Sequence, residues 1–329
     1  MRMAWPGTGP YKKSGKQCGV HSLDAPKKNR SGIGDKMPSF PSPGAVLREI
    51  LQEPEILIAP GAHNAFTARI IEQAGFKSVY MTGSGASMDL LGMPDLGFLT
   101  MSEMVAHAGN IVQATRLPVI ADADTGYGNA LNVLRTIREY ERAGVAGVHI
   151  EDQAAPKRCG HFAGKEVISR EEMLGKIEAA LDARRDPDFV VIARTDARAV
   201  LGLEEAIERG KAYRQAGADM IFVDAPESEE ELRAIARSIP GPLMVNLSEG
   251  GKTPLLSARE LQEMGYRLVI YPRSAAGAAA KAIQDLMAVL RKEGTTKSFL
   301  DRIVTFEGRN QITGLAQYRE LEKKYLRKE

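Results

Sequence analysis

From residue 55 onward, short runs of apolar and β-branched residues alternate with longer stretches whose apolar positions recur every three or four residues. The runs are EILIAP (55–60), SVYMTG (78–83), PVIADAD (118–124), GVHIED (147–152), FVVIARTDA (189–197), MIFVDAP (220–226), PLMVNLSEG (242–250) and LVIYPRS (268–274). Each is short and rich in Val and Ile, the mark of a strand buried on both faces. The intervening segments, among them 65–74, 130–143, 203–216 and 229–238, carry helical spacing, and several close on Ala-Gly. A glycine there takes the left-handed conformation that stops a helix, so each repeat reads as helix, stop, strand. A further amphipathic helix is predicted over 43–53.

Eight such units predict a parallel sheet closed into an α/β barrel of the (β/α)₈ TIM type. An open doubly wound sheet is the rival. It is disfavoured because no G-x-G-x-x-G turn follows the first strand, and because polar residues end almost every strand instead of collecting at one switch point. Residues 275–294 and 311–329 read as charged helices that either close the barrel or reach a neighbouring subunit. The predicted organisation is a disordered basic extension over 1–37, a barrel over 38–300 and a helical tail over 301–329.

Composition narrows the partners. Residues 1–37 hold eight Lys/Arg against two Asp, with many Gly, Ser and Pro, which predicts disorder. A nucleic-acid arm or a targeting peptide is the lesser alternative there, since the Gly and Pro content argues against an amphipathic targeting helix. Met37 is an alternative start. Hydrophobic residues are 43% and charged residues 26% of the chain, enough for a large core, and a net charge of +2 predicts no nucleic-acid partner. No run approaches the roughly 18 apolar residues of a membrane span, so no membrane partner is expected. Two cysteines, Cys18 and Cys159, form one bridge at most. A reducing, cytoplasmic setting is expected.

Polar side chains stand where the strands run out: Thr82, Asp122, Asp124, Glu151, Asp152, Arg194, Asp196, Asp224, Asn246 and Ser248. In a barrel those ends share one face, on which active sites of this architecture form. Carboxylates entering one mouth from several strands repel one another unless a cation lies among them. Hard oxygen donors, with no His or Cys expected near them on the strands, favour Mg²⁺ over zinc, with Mn²⁺ able to substitute. For any single carboxylate, and for Asp152 and Asp196 above all, a cap on the following helix is the open alternative. Asp122 and Asp124 are harder to assign to caps, because strand alternation points both side chains the same way.

Lys157-Arg158-Cys159-Gly160-His161 follows the fourth strand directly. Cations and a histidine beside a thiol lower its pKa and ready it for proton transfer, which makes Cys159 a candidate catalytic acid. An incidental cysteine in a basic loop is the alternative; closeness to a carboxylate-ended strand favours function. Zinc is poorly supported, since Cys159 and His161 are two positions apart and the barrel segment holds no second thiol.

In YMTGSG (80–85), GMPDLG (92–97), ADADTGYGN (121–129), HIEDQ (149–153), KRCGH (157–161), ARTDA (193–197) and NLSEGGKTP (246–254), the chain resembles the isocitrate lyase and phosphoenolpyruvate mutase superfamily. The motifs keep the family's order and cover about residues 44–300. The resemblance implies (β/α)₈ enzymes, homotetramers or homodimers that exchange a C-terminal helix. It implies that Asp122 holds Mg²⁺, supported through waters by Asp95, Asp124 and Glu151. Backbone amides of Thr82, Gly83 and Ser84 would take one substrate carboxylate, with Arg194, Asp224, Asn246 and Ser248 binding the rest. Lys157, Arg158, Cys159 and His161 would ride on a loop that closes over the substrate. The implied chemistry is retro-Claisen cleavage of a small 2-hydroxy dicarboxylate, with Cys159 protonating the enolate carbon. The general base is open, and Tyr80 is a candidate by position.

The Cys-Gly-His loop argues against phosphonate-handling members and decarboxylases, and complete metal and acid groups argue against a catalytically silent scaffold. FVDAP (222–226), NLSEGG (246–251) and CGHFAGKEV (159–167) resemble the 2,3-dimethylmalate lyase and petal-death branch more than 2-methylisocitrate lyases, with oxaloacetate hydrolases close by. Asp224 stands where both branches usually carry Glu. In YPRSAAG (271–277), Gly277 replaces an arginine of the methylisocitrate-type enzymes, and Arg273 is positioned to compensate. A substituted malate is therefore the expected substrate.

Overall fold

A computed structural model describes residues 41–160 and 164–326. The expected extension over 1–37, Cys18, Met37 and His161 lie outside the described residues. Eight strands pair parallel in chain order and the last closes on the first. They are β1 (Leu57–Ala62), β2 (Val79–Met81), β3 (Val119–Asp122), β4 (Gly147–Glu151), β5 (Val190–Thr195), β6 (Met220–Val223), β7 (Leu243–Asn246) and β8 (Leu268–Tyr271). The helices Ala65–Gln73, Ala130–Arg142, Leu203–Gln215 and Glu229–Ser238 fall on the segments whose spacing predicted them. Gly75, Gly144 and Gly217, each following a helix, adopt φ of 86°, 86° and 103°, so the Ala-Gly stop acts through the left-handed residue it was expected to supply.

Period-two alternation sorts the strand residues into two cores. Leu57, Ala59, Tyr80, Ile120, Val190, Ile192, Met220, Phe222, Met244, Leu268 and Ile270 pack together inside the barrel. Their neighbours in sequence, such as Val79, Met81, Val119, Val148, Val191, Ile221, Val245 and Val269, belong to the shell between strands and helices. A strand with a partner on each side is apolar throughout, which is why the runs showed no polar alternation until their ends.

The helix Pro43–Gln52 seals the N-terminal end of the barrel. Ser42 caps it by accepting from Ala45 N, and Pro43 fills its first turn. Leu47 is fully buried in the inner core. Arg48 fastens the helix by donating to the Asp188 carbonyl at 2.9 Å and to Asp219 at 2.8 Å. With that end closed, the opposite end is the face open to ligands. None of the helices Ser274–Glu293, Phe306–Thr313 and Leu315–Tyr325 buries a residue in the single chain. Among the described residues, no helix is long and apolar enough to cross a membrane.

Candidate active site

The inner stripe continues past the apolar core. Thr82 follows Tyr80, Asp122 follows Ile120, Glu151 follows His149, Arg194 follows Ile192, Asp224 follows Phe222 and Asn246 follows Met244, each two residues along. Alternation thus sets a polar layer over the filled barrel. Tyr80, Thr82, Ser84, Asp95, Asp122, Glu151, Lys157, Arg158, Cys159, Arg194, Asn246 and Ser248 line one cavity of about 40 Å³. Gly83, Asp124 and Asp224 stand beside it.

Thr82 caps the helix Gly83–Leu91, whose N-terminus meets this cavity and favours an anion. The expected use of three successive amides needs correction. Thr82 N–H already donates to the Ala62 carbonyl at 3.4 Å, and Gly83 N–H donates to Asp122 Oδ2 at 3.2 Å. Gly83 therefore braces Asp122, and a Cβ there would collide with that carboxylate. Thr82 and Ser84 are the residues of the turn that face the cavity.

The common facing expected of Asp122 and Asp124 is also corrected. β3 ends at Asp122, and Asp124 turns left-handed at φ 47°. Its N–H donates to Asp122 Oδ1 at 2.9 Å, and it lines a neighbouring cavity. Lys157 nevertheless joins the two sides. Its Nζ lies 2.7 Å from Asp95 Oδ1 and 2.6 Å from Asp124 Oδ1.

His149 corrects the expectation that no histidine stands among the strand carboxylates. Its Nε2 is 2.8 Å from the Tyr80 hydroxyl and 3.6 Å from Asp122 Oδ1. The ring stacks on Tyr80 and meets Phe222 edge-on. Burial pushes its pKa down to about 4, so the imidazole is neutral at pH 7. The signal was present in the sequence: two residues before Glu151, it shares that residue's face.

Asp95, Asp122, Asp124, Glu151, Asp196 and Asp224, six buried carboxylates, surround three buried cations, Lys157, Lys165 and Arg194. Arg194 donates to Asp196 at 2.8 and 3.0 Å and to Asp224 at 3.1 Å, and lies 3.2 Å from Glu151. Lys165 reaches Asp196 at 2.7 Å. Asp196 thus has ion-pair partners and no side-chain cap bond, while Asp152 accepts from Thr195, Tyr213 and Arg209. Both caps are set aside. Burial pushes Asp124 up to about 6 and Glu151 well above the carboxylate range. Against the same pull of burial, Arg194 and Lys165 hold Asp196 below its ordinary value.

Among the described residues, Glu151 Oε1 is buried without a hydrogen-bond partner. Surplus carboxylate oxygen suits a hard divalent cation. Among the described residues, no three such groups converge tightly enough to ligate one ion together. Arg273 also lines the cavity, its Nη1 donating to the Glu249 carbonyl at 2.9 Å.

Residues 47–291 match the phosphoenolpyruvate phosphomutase family. The chain is 53% identical to 2,3-dimethylmalate lyase of Eubacterium barkeri over 281 residues, 85% of this chain and 97% of that protein. A crystal structure of 2,3-dimethylmalate lyase, described as a PEP mutase/isocitrate lyase superfamily member, superposes with TM-score 0.82 at 39% identity, covering 87% of this chain and 96% of that one. Phosphonopyruvate hydrolase, solved with oxalate and Mg²⁺, superposes with TM-score 0.79 at 34% identity over 87% of this chain and all of that one.

Removing the shared cation tests the charge layer. Arg194→Met leaves Glu151, Asp196 and Asp224 buried around no guanidinium, and urea unfolding without Mg²⁺ is expected to show a loss of about 3–5 kcal/mol. A loss below about 1 kcal/mol, the scale of an exposed pair, would overturn that role.

Proposed function

The chain belongs to the phosphoenolpyruvate mutase/isocitrate lyase superfamily, and on that footing we propose that it is a Mg²⁺-dependent carbon–carbon lyase cleaving 2,3-dimethylmalate, or a closely related substituted malate, to pyruvate and a short-chain acid. One observation carries the reading: Cys159 and a carboxylate-rich mouth with surplus negative charge face the same small cavity. The likeness to 2,3-dimethylmalate lyase supports the substrate class.

In this reading Asp122 holds the cation, with Asp95, Asp124 and Glu151 acting through water. Bound there, Mg²⁺ supplies Lewis-acid stabilisation of charge on the keto-acid oxygens. The helix N-terminus at Thr82 and Ser84 takes one carboxylate. Arg194, Asn246 and Ser248 orient the remainder, and Asp224 steadies Arg194 and Asn246 at 3.1 and 3.3 Å. Tyr80 accepts the proton of the 2-hydroxyl. Burial keeps its phenol protonated, so its own proton passes to His149 Nε2, 2.8 Å away. The C2–C3 bond breaks, its electron pair moves to C3, and the Cys159 S–H delivers a proton to that carbon. Lys157, Arg158 and His161 serve the thiol and close its loop. A thiol acid must stay reduced, which suits a cytoplasmic enzyme.

A second reading, cleavage of 2-methylisocitrate, is favoured by Arg273, which brings a cation to the cavity for a third carboxylate, and by likeness to a 2-methylisocitrate lyase of Aeropyrum pernix at 45% identity. Steady-state assays of 2,3-dimethylmalate, 2-methylisocitrate and oxaloacetate, with Mg²⁺ and with excess chelator, separate these. We expect the highest kcat/KM on 2,3-dimethylmalate and none in chelator. A tenfold preference for 2-methylisocitrate, about 1.4 kcal/mol in transition-state binding, would transfer the assignment, and full activity in chelator would remove the metal. Cys159→Ser is expected to lower kcat by on the order of 10²-fold while KM changes little; near-normal turnover would dismiss Cys159 as the acid.

The barrel over 38–300 carries the chemistry, and the tail over 301–329, together with the helix Ser274–Glu293 that precedes it, serves assembly. Ile283, Met287 and Phe306 are 57%, 48% and 73% exposed in the single chain. Such apolar surface on helices without a buried face suits exchange between paired subunits of a homodimer or homotetramer. Ile283→Asp with Met287→Asp is expected to lower the mass measured by light scattering; an unchanged mass would count against exchange.

A further inference from the structure

Cys159 lies on a segment, 157–160, with neither helix nor strand. Proton delivery to one carbon demands a thiol fixed within fractions of an ångström. The fixing comes from the main chain on either side of it. Before the cysteine, the Gln153 side-chain amide brackets Arg158: Nε2 donates to the Arg158 carbonyl at 2.8 Å and Oε1 accepts from Arg158 N–H at 2.9 Å. Gln153 is itself buried, and its backbone bridges antiparallel to Val167, so the bracket stands on a fixed base.

After the cysteine, buried Lys165 donates to the Gly160 carbonyl and, at 2.7 Å, to Asp196. Asp196 in turn grips Arg194, which lines the cavity, through two hydrogen bonds. At Cys159 itself, the N–H donates to the Asp95 carbonyl at 3.1 Å. The approach is close enough that a Cβ at Gly160 would run into Asp224 Oδ2 and Arg194 Nη2.

We infer that Gln153 and Lys165 are positioning residues that set Cys159 over the cavity by holding the backbones of its two neighbours. The inference rests on Cys159 acting as the acid in the proposed lyase. Lys165 adds a coupling, since the ammonium that holds Gly160 shares Asp196 with the arginine that meets the substrate carboxylate. Both side chains act on position alone: they bond to main-chain atoms of 158 and 160, whatever the side chains there.

The test pairs turnover with a thiol reading that needs no substrate. Gln153→Ala and Lys165→Met, with the conservative Gln153→Glu and Lys165→Arg, are assayed on 2,3-dimethylmalate with Mg²⁺. Iodoacetamide labelling of the Cys159 peptide is timed by mass spectrometry, and near-UV circular dichroism monitors packing. The first two variants are expected to lose about tenfold or more in kcat with KM within about threefold, and to label Cys159 about tenfold faster. The conservative pair recovers part of both. Unchanged labelling overturns the inference whatever the activity, as does faster labelling with normal kcat. If Lys165→Met does not fold, the Gln153 variants decide. If the wild-type chain turns over none of the dicarboxylates, labelling still decides the positioning, and the lyase reading is what fails.

Discussion

The structure depends on how six buried carboxylates coexist at one end of a barrel. In that setting an unpaired charge costs several kcal/mol, and no carboxylate can be left to water. Arg194 answers for three of them, while Lys157 answers for Asp95 and Asp124 from a different part of the chain. With Asp152, Lys176 and Arg209 included, five buried cations still fall short of seven buried acids among the described residues. Burial raises the pKa values of Asp124 and Glu151, and among the described residues Glu151 Oε1 has no hydrogen-bond partner. The fold has assembled this charge before any ligand arrives, which is the condition under which the proposed divalent cation would bind.

The same ion pairs place the loop. Lys157 ties its start to both acidic sides of the mouth, and Lys165 ties its far side to the Asp196–Arg194 pair. Electrostatic relief and the placement of Cys159 are one event. Tyr80 and His149 enter from below, at the boundary between the apolar filling and the charged layer. Burial at that boundary keeps both groups neutral at rest.

Much of this was legible in the chain because its causes are local. Buried parallel strands must be apolar on both faces, so eight Val/Ile-rich runs were visible. Helix stops need a left-handed residue, so Gly75, Gly144 and Gly217 marked them. Polar residues at strand ends named the mouth, since alternation carries Tyr80, Asp122, Glu151 and Arg194 inward. The basic Cys159 segment was visible for the same reason, as charge density beside a thiol in sequence.

What the chain could not show depends on groups far apart along it. Asp124 turns left-handed while its carbonyl still accepts from Glu151 N–H, a backbone turn that alternation ignores. Gly83 turns its amide to Asp122, 39 residues away, and away from the cavity. Asp196 was open between a helix cap and a place in the carboxylate mouth, and packing brought Lys165 to it across 31 residues, a pairing the sequence reading did not offer. The sequence by itself determined which face of each strand is polar and therefore where the site lies, because side-chain alternation is built into the backbone. Only the tertiary structure decided which acid meets which cation and what holds Cys159, because those energies depend on distances and burial that exist only once the barrel has closed.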